Sequence, residues 1–374
     1  MERIPLYRVH MPKDVMSVLE EVLFSGYIAQ GPKSDEFEKR FGEWVGNPNT
    51  VLTSSCTGAL ALSVRQALDS GEPTEKPNVV STPMTCIATN TPIREAGAAI
   101  KWADVEEDTG NISAASIDET IDEDTRAIML VHWSGMPADL DAIHRVAQKH
   151  GVPVVEDSAH ALGALYKSKK IGNHSEYACF SFQAIKHITT IEGGAVACKK
   201  PEDAERITKL RWFGLNRKEQ RDSIKGFEEY TGAGYKMNTN DVSSAIGLEQ
   251  LKYLDGIVTR HKENAKTLKS ELDGTVGFPR VADGADPSYW ILTILVEPDK
   301  KRAISDSLSA QGIDNSVSHT RNDIYKGLGN EALGDDSAVA RFDARKLNIP
   351  CGWWLTQDDL QRIANATKEA VKNA

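Results

Sequence analysis

Between residues 50 and 200 the chain alternates compact apolar runs with stretches whose apolar residues recur at helical spacing. Val51–Thr53 precedes a helical pattern over Thr57–Gln66, Asn78–Ser81 precedes one over Cys86–Glu95, and Ala99–Ala103 follows. Ala127–His132 leads to a helix over Leu140–Lys149, and Val152–Glu156, Cys179–Phe182 and Gly194–Cys198 are further β-like runs. Strands covered on both faces read as unbroken apolar runs, so this order predicts an α/β fold with a mainly parallel sheet between helices. Ligands of such sheets sit beyond the carboxyl ends of the strands, which directs attention to the residues that follow each run.

After Val242 the pattern changes. Helical periodicity runs from Ser243 through Leu251 to roughly Leu272, Asp273–Pro287 is rich in Gly, Pro and Asp, and Tyr289–Val296 is strongly β-like. Amphipathic helices over Lys301–Gln311 and Thr356–Lys372 flank a loop-rich middle. We expect a large domain over residues 1–245 and a smaller C-terminal α+β domain over 246–374, linked by one long helix; a length of 374 residues suits two domains.

The formal net charge of −10 leaves no basic field to gather a polyanion, so nucleic acid is not an expected partner. A sugar nucleotide remains compatible, because one diphosphate needs only a few local donors. The five cysteines are scattered without a CxxC pair, as expected of reduced thiols in a cytoplasmic enzyme without a metal site. No apolar run approaches the roughly 18 residues of a membrane helix, and the opening Met-Glu-Arg-Ile-Pro-Leu lacks the apolar stretch of a secretion signal.

Three segments carry candidate chemistry. In Phe180-Ser181-Phe182-Gln183-Ala184-Ile185-Lys186, continuing to Glu192-Gly193-Gly194, a lysine stands between hydrophobic runs, where desolvation favours a neutral, nucleophilic amine. An exposed loop lysine is the alternative. In Val154-Val155-Glu156-Asp157-Ser158-Ala159-His160 an apolar strand delivers a carboxylate and then an imidazole to its end. A buried Asp needs a cationic partner, which a pyridinium nitrogen would supply; an N-cap role for Asp157 and simple packing for His160 are the alternatives. In Thr53-Ser54-Ser55-Cys56-Thr57-Gly58 small hydroxylated residues open a helix, leaving backbone N–H groups to meet a phosphate or simply capping the helix.

In this order, and with Ser25-Gly26-Tyr27-Ile28-Ala29-Gln30-Gly31-Pro32, Pro83-Met84-Thr85-Cys86 and Ala245-Ile246-Gly247-Leu248-Glu249-Gln250-Leu251, the segments resemble the nucleotide-sugar aminotransferases of DegT/StrS type. These are a branch of the fold-type I, aspartate aminotransferase-like, pyridoxal-phosphate enzymes. The resemblance implies that Lys186 holds pyridoxal 5'-phosphate as a Schiff base and shuttles protons, and that Asp157 pairs with the pyridine nitrogen. It places His160 beside the cofactor ring and Thr57, Gly58 and Ser181 at its phosphate. Cys86 stands where many members stack an aromatic residue. Lys236, or Asn238 if the alignment shifts by two, stands where an Asn reaches the neighbouring subunit's phosphate site. Ile191 replaces a usual glycine. His319 and Arg321 fall where the family often lines its sugar site, and Tyr27 is a further substrate candidate.

The implied reaction takes an amino group from glutamate, leaving 2-oxoglutarate, and places it on a nucleotide-linked 4-keto-6-deoxy-hexose or 3-keto sugar. It implies a homodimer with shared sites and a role in amino-sugar biosynthesis, such as that of lipopolysaccharide or O-antigen. Rival readings are a sugar dehydratase on the same scaffold, in some of which histidine replaces the lysine, and a catalytically idle PLP-binding regulator. Should the resemblance fail, an NAD-type α/β enzyme is next, although no GxGxxG follows the first strand. The frame of Phe180-Ser181-Phe182 and Glu192-Gly193-Gly194 puts Lys186, not His187, at the catalytic place. Trp353 and Trp354 read as core or interface residues, and His132 and Trp133 as packing near the site.

Overall fold

The computed structural model describes residues 2–217, 232–329 and 332–374. Its strands are β1 (Thr50–Thr53), β2 (Asn78–Ser81), β3 (Ala99–Trp102), β4 (Thr125–Val131), β5 (Val154–Asp157), β6 (Leu165–Tyr166), β7 (Lys169–Lys170), β8 (Tyr177–Ser181), β9 (Gly194–Cys198), β10 (Ala285–Asp286), β11 (Leu292–Leu295) and β12 (Lys346–Ile349). Its α-helices are α1 (Val15–Phe24), α2 (Pro32–Val45), α3 (Cys56–Ser70), α4 (Ile87–Glu95), α5 (Ala114–Thr120), α6 (Leu140–His150), α7 (Pro201–Leu210), α8 (Asp241–Leu251), α9 (Leu254–Glu271), α10 (Lys301–Ala310), α11 (Ala338–Arg345) and α12 (Gln357–Asn373). Among them α12 opens with a full capping box, Thr356 and Asp359 each satisfying the other's backbone N–H.

A seven-stranded sheet runs in the order β1-β9-β8-β5-β4-β2-β3. Neighbours from β8 to β3 pair in parallel, and β9 lies antiparallel to both β8 and β1, so it alone is reversed within this sheet. This is the mainly parallel α/β fold expected. The two faces of β5 and β8 are sorted by the two-residue period of a strand. Val154, Ala178 and Phe180 enter the core under α2 and α6, whereas Val155, Tyr177 and Cys179 enter the core under α3 and α7. Asp157 and Ser181 continue the second alternation and therefore emerge on the α3 side.

The register lines up chemistry at one end of the sheet. Thr53 and Ser181 both pair with Gly194, Asp157 pairs with Cys179, and Val131 pairs with Asp157. Gly194 is required by contact: a Cβ there would lie 2.4 Å from the backbone of Ser55 and Cys56. The start of β9 is thereby pressed against the start of α3.

A separate apolar core gathers Ala265 and Leu268 of α9 and its C-cap Leu272 with α10, α12 and the antiparallel pair β11–β12; Ile4 from the other end of the chain joins it. Three expectations change here. The long helix of residues 243–272 is two helices, broken at Lys252 and Tyr253. On the near side of the break α8 is buried along most of its length, while α9 passes from Leu254, Ile257 and Val258 in the first core to Leu268 in the second. The β-like run 289–296 pairs only from Leu292, because Tyr289 takes a left-handed conformation at φ 47° and turns the chain. The loop-rich middle contains α11 and β12.

Candidate active site

The loop between β8 and β9 is tied down at several points. Phe182 N–H donates to Gly193 O at 2.9 Å, Thr190 N–H to Phe182 O at 2.9 Å, and Lys186 N–H to Gln183 O at 3.0 Å. His187, buried, sits against Ser288 O at 3.2 Å. Lys186 is thus presented from a fixed backbone, half-buried. Burial pushes its amine down to about 8, against the opposing charge of Asp157. Among the described residues its Nζ has no hydrogen bond and no ion pair; it lies 3.7 Å from the centre of the Trp290 ring.

Asp157 is buried at the end of β5, with one oxygen accepting from the Thr89 hydroxyl at 2.6 Å and the other from Ala159 N–H at 3.0 Å. No cationic side chain of the described residues reaches it within ion-pair distance. Burial holds its carboxyl above the usual range, partly offset by the Thr89 and Ala159 hydrogen bonds and by the charge on Lys186. The hydrogen bond to Ala159 is of the local kind expected from a cap, yet the second oxygen is held by α4 rather than spent on its own loop. His160 is buried with Nδ1 lacking a partner, and its ring stacks on Trp290 at 4.1 Å and 11° and on His319 at 5.5 Å and 6°. Burial and the Lys186 charge push His160 well below the usual histidine range, and burial pushes His319 down to about 3. Both rings are therefore neutral near pH 7.

Ser55 caps α3, accepting from Gly58 N–H at 3.0 Å, so that amide is already engaged; the Thr57 hydroxyl has no hydrogen bond among the described residues. Ser181 Oγ accepts from Gln183 N–H at 3.3 Å. Cys86, half-buried at the N-cap of α4, accepts no capping hydrogen bond, and Thr85 bonds Thr89 at 2.6 Å, extending the chain of hydroxyls toward Asp157. Cys56 Sγ lies 3.9 Å from Asp157.

Lys186, Asp157, His160 and His319 are brought together, and the Ser55–Gly58 turn and Ser181 border them through the sheet register. Other candidates stand apart. Lys236 is exposed, its ammonium 2.7 Å from Asn238 Oδ1 and 4.0 Å from the Trp212 ring centre. The backbone between them is anchored in the same chain, Met237 O accepting from Ser54 N–H at 2.7 Å. Tyr27 is 81% exposed with no side-chain contact to the group. Arg321 is buried and grips Asp323 in a bidentate pair through Nε and Nη2, so its charge is met within two residues. Ile191 takes φ 71°, which explains a preference for glycine at that position. His132 is spent on Glu156 at 2.9 Å, and since its Nδ1 accepts from Ala138 N–H, Nε2 carries the proton. Trp133 is core; Trp353 packs on His10 and Trp354 on His261.

Thr89 and Trp290 were not foreseen. Thr89 carries a weak signal, a hydroxyl in the first turn of the helix after β2. Trp290 carries none, because it is brought from a distant part of the chain.

Among the described residues, a buried carboxylate without a cation, an amine without hydrogen bond or ion pair and a buried imidazole nitrogen without a partner fit pyridoxal phosphate, in which Asp157 would meet the ring nitrogen, Lys186 the aldehyde, His160 the side of the ring, and Ser181 and Thr57 the phosphate. Residues 10–368 match the DegT/DnrJ/EryC1/StrS aminotransferase family. The sugar aminotransferase CalS13 from Micromonospora echinospora has 33% identity and a TM-score of 0.92, over 98% of this chain and 99% of that one. PseC of Helicobacter pylori, an aminotransferase involved in the biosynthesis of pseudoaminic acid, has 27% identity and a TM-score of 0.91 over 100% of both chains. The spore coat polysaccharide biosynthesis protein SpsC of Bacillus subtilis is 32% identical over 97% of this chain and 95% of its own. The chain belongs to the DegT/DnrJ/EryC1/StrS family, with the fold-type I architecture, and is a pyridoxal-phosphate-dependent aminotransferase.

Proposed function

We propose that the protein transfers the amino group of glutamate to a keto-sugar, most simply a nucleotide-linked 4-keto-6-deoxy-hexose or 3-keto sugar. The observation that carries this reading is the Lys186 amine, without hydrogen bond or ion pair among the described residues, set near the buried Asp157 carboxylate, which has no cationic partner among them, at the carboxyl end of the sheet. The sugar comes from the company the chain keeps: CalS13 is a sugar aminotransferase and SpsC serves polysaccharide biosynthesis.

When bound, the cofactor supplies an electron sink for the charge left at the amino acid's α-carbon. Asp157 would hold a proton on the ring nitrogen, and Thr89 orients Asp157 and favours its ionised form against the effect of burial. Lys186 Nζ, lowered by burial to about 8, has a larger neutral fraction near neutral pH than an exposed lysine. With the cofactor bound, it would take the proton from the α-carbon of glutamate and would serve as the matching proton donor when the amino group passes to the sugar. Glutamate leaves as 2-oxoglutarate and the keto-sugar as an amino-sugar, so atoms balance over the two halves. Ser181, Thr57 and the start of α3 hold the phosphate. A dehydratase reading lacks support, since Lys186 rather than His187 faces Asp157 and Trp290.

The reading extends to a homodimer with shared sites, in which the exposed Lys236 and the neighbouring Asn238 serve the partner subunit's phosphate. His319 and Tyr27 line the sugar side, while Arg321 acts there only by holding its loop through Asp323. It also includes a larger unit over residues 1–245, a smaller one over 246–374 and a cytoplasmic location; no described helix is long and apolar enough to cross a membrane. Incubating the purified protein with glutamate and a panel of nucleotide keto-sugars, and weighing the products, tests the reading. A product heavier by about one mass unit than the keto-sugar (C=O becoming CH–NH2) together with 2-oxoglutarate is expected. Loss of water from a sugar without 2-oxoglutarate would establish the dehydratase instead.

A further inference from the structure

Trp290 is 2% exposed and belongs to a small apolar cluster with Leu6 and Ile291, against which Tyr7 and Ile185 pack. Two of its contacts concern the lysine loop. Its indole N–H donates to Ile185 O at 2.8 Å, across 105 residues of chain, so it grips the backbone immediately before Lys186. Its ring face lies 3.7 Å from Lys186 Nζ. The ring itself is fixed: Tyr7 stacks on it at 4.9 Å and 20°, His160 at 4.1 Å and 11°, and its own N–H in the main chain donates to Ser134 O at 3.0 Å.

We infer that Trp290 is a positioning residue for Lys186, locating the amine over the indole face and fixing the loop through the indole N–H. The inference rests on the reading of Lys186 as the amine that holds the cofactor. A tryptophan face attracts a cation through its quadrupole, most strongly where water is excluded. Burial disfavours the ammonium, and the described residues offer Nζ no carboxylate at hydrogen-bond distance. The indole face thus holds the amine in one place without trapping it in an ion pair that would have to break before it could react. It also keeps more of the amine protonated than burial alone allows, so Trp290 and burial act in opposite directions on the same proton. Because His160 stacks on the same indole, the amine and the imidazole beside the cofactor ring share one rigid support.

The test replaces Trp290 alone, in the full chain, with mono-, di- and trifluorinated tryptophans, which weaken the ring quadrupole at nearly constant shape. The rate at which the cofactor-free protein captures added pyridoxal phosphate is measured against pH. The midpoint of that profile should fall stepwise with fluorination, by on the order of one pH unit over the series, since the cation loses support and the neutral amine appears at lower pH. Trp290→Phe, which has a weaker aromatic face and lacks the donor to Ile185, should lower the midpoint within the range of the fluorinated series and in addition slow capture several-fold. A purely packing role would leave the midpoint constant through the fluorinated series, and that result overturns the inference. Peptide mapping after borohydride separates the two levels. A label on another lysine defeats the reading of Lys186 itself, whereas a label on Lys186 with an invariant midpoint defeats only the role of Trp290.

Discussion

At the carboxyl ends of the strands, Lys186 and Asp157 stand without ionic partners among the described residues. At the amino ends of the same strands, a groove of about 1060 Å³ runs between the starts of β4, β5 and β8 and the end of α3, and several of its charged groups are engaged by neighbours. Lys199 pairs with Glu176 at 2.9 Å, Asp203 accepts from Gln66 at 2.8 Å, and Arg126 donates to Glu72 O and Glu123 O, each at 2.8 Å. The groove is large and polar, yet each of these groups has been satisfied by the fold. The opposite end leaves Lys186 and Asp157 without ionic partners among the described residues while burying them, which costs stability and is retained where a ligand will complete the set. Charge left unanswered, rather than the size of a cavity, marks the site.

The comparison breaks most visibly at Asp157. Asp157→Asn conserves shape and keeps a hydrogen-bonding side chain, but cannot hold a proton on the ring nitrogen. We expect kcat to fall on the order of 10²-fold or more with the KM for glutamate little changed, read by steady-state kinetics. Unchanged turnover would return Asp157 to a capping role. Thr89→Val acts one bond further out. The Thr89 hydroxyl favours the ionised form of a carboxyl that burial already holds high, so its loss raises that pKa further. The acid limb of the kcat/KM profile should therefore move to higher pH, with a fall of roughly tenfold near neutrality. At the other edge, Lys199→Ala removes half of an ion pair whose lysine is 56% exposed. Its effect on thermal stability should stay within about 1 kcal/mol and its effect on kcat should be negligible. A large kinetic effect there would mean that the groove takes part in function after all.

Much of the active end was legible because it obeys local rules. The strand period places Asp157 and Ser181 on one face, and Ser55 caps α3 where a hydroxyl-rich helix start announces a cap. Lys186 sits in a frame of residues close to it in sequence. What was illegible depends on distant packing. Trp290 belongs to a run that reads as plain β-strand, and only the turn at Tyr289 diverts it to Ile185. In β12 the residues Lys346 and Asn348 alternate with Leu347 and Ile349 and read as a solvated loop, but both polar side chains are buried by partners elsewhere, Lys346 by Asp343 and Asn348 by Ser318 O and Thr293. The break between α8 and α9 escapes a periodicity that continues through it, because what changes at Tyr253 is the core each helix faces. Arg321 drew attention as a cation in a polar stretch, and its partner, Asp323, was two residues away in the same stretch.

The most direct measurement is the fate of the cofactor when the yellow holoprotein is reduced with borohydride, digested and mapped. Lys186 carries the amine that burial holds at about 8 and that no ion pair engages among the described residues, so the reduced adduct should appear on the peptide containing Lys186, and Lys186→Ala should abolish both colour and label. An adduct on any other lysine, or a Lys186→Ala protein that retains colour and turnover, would contradict the account.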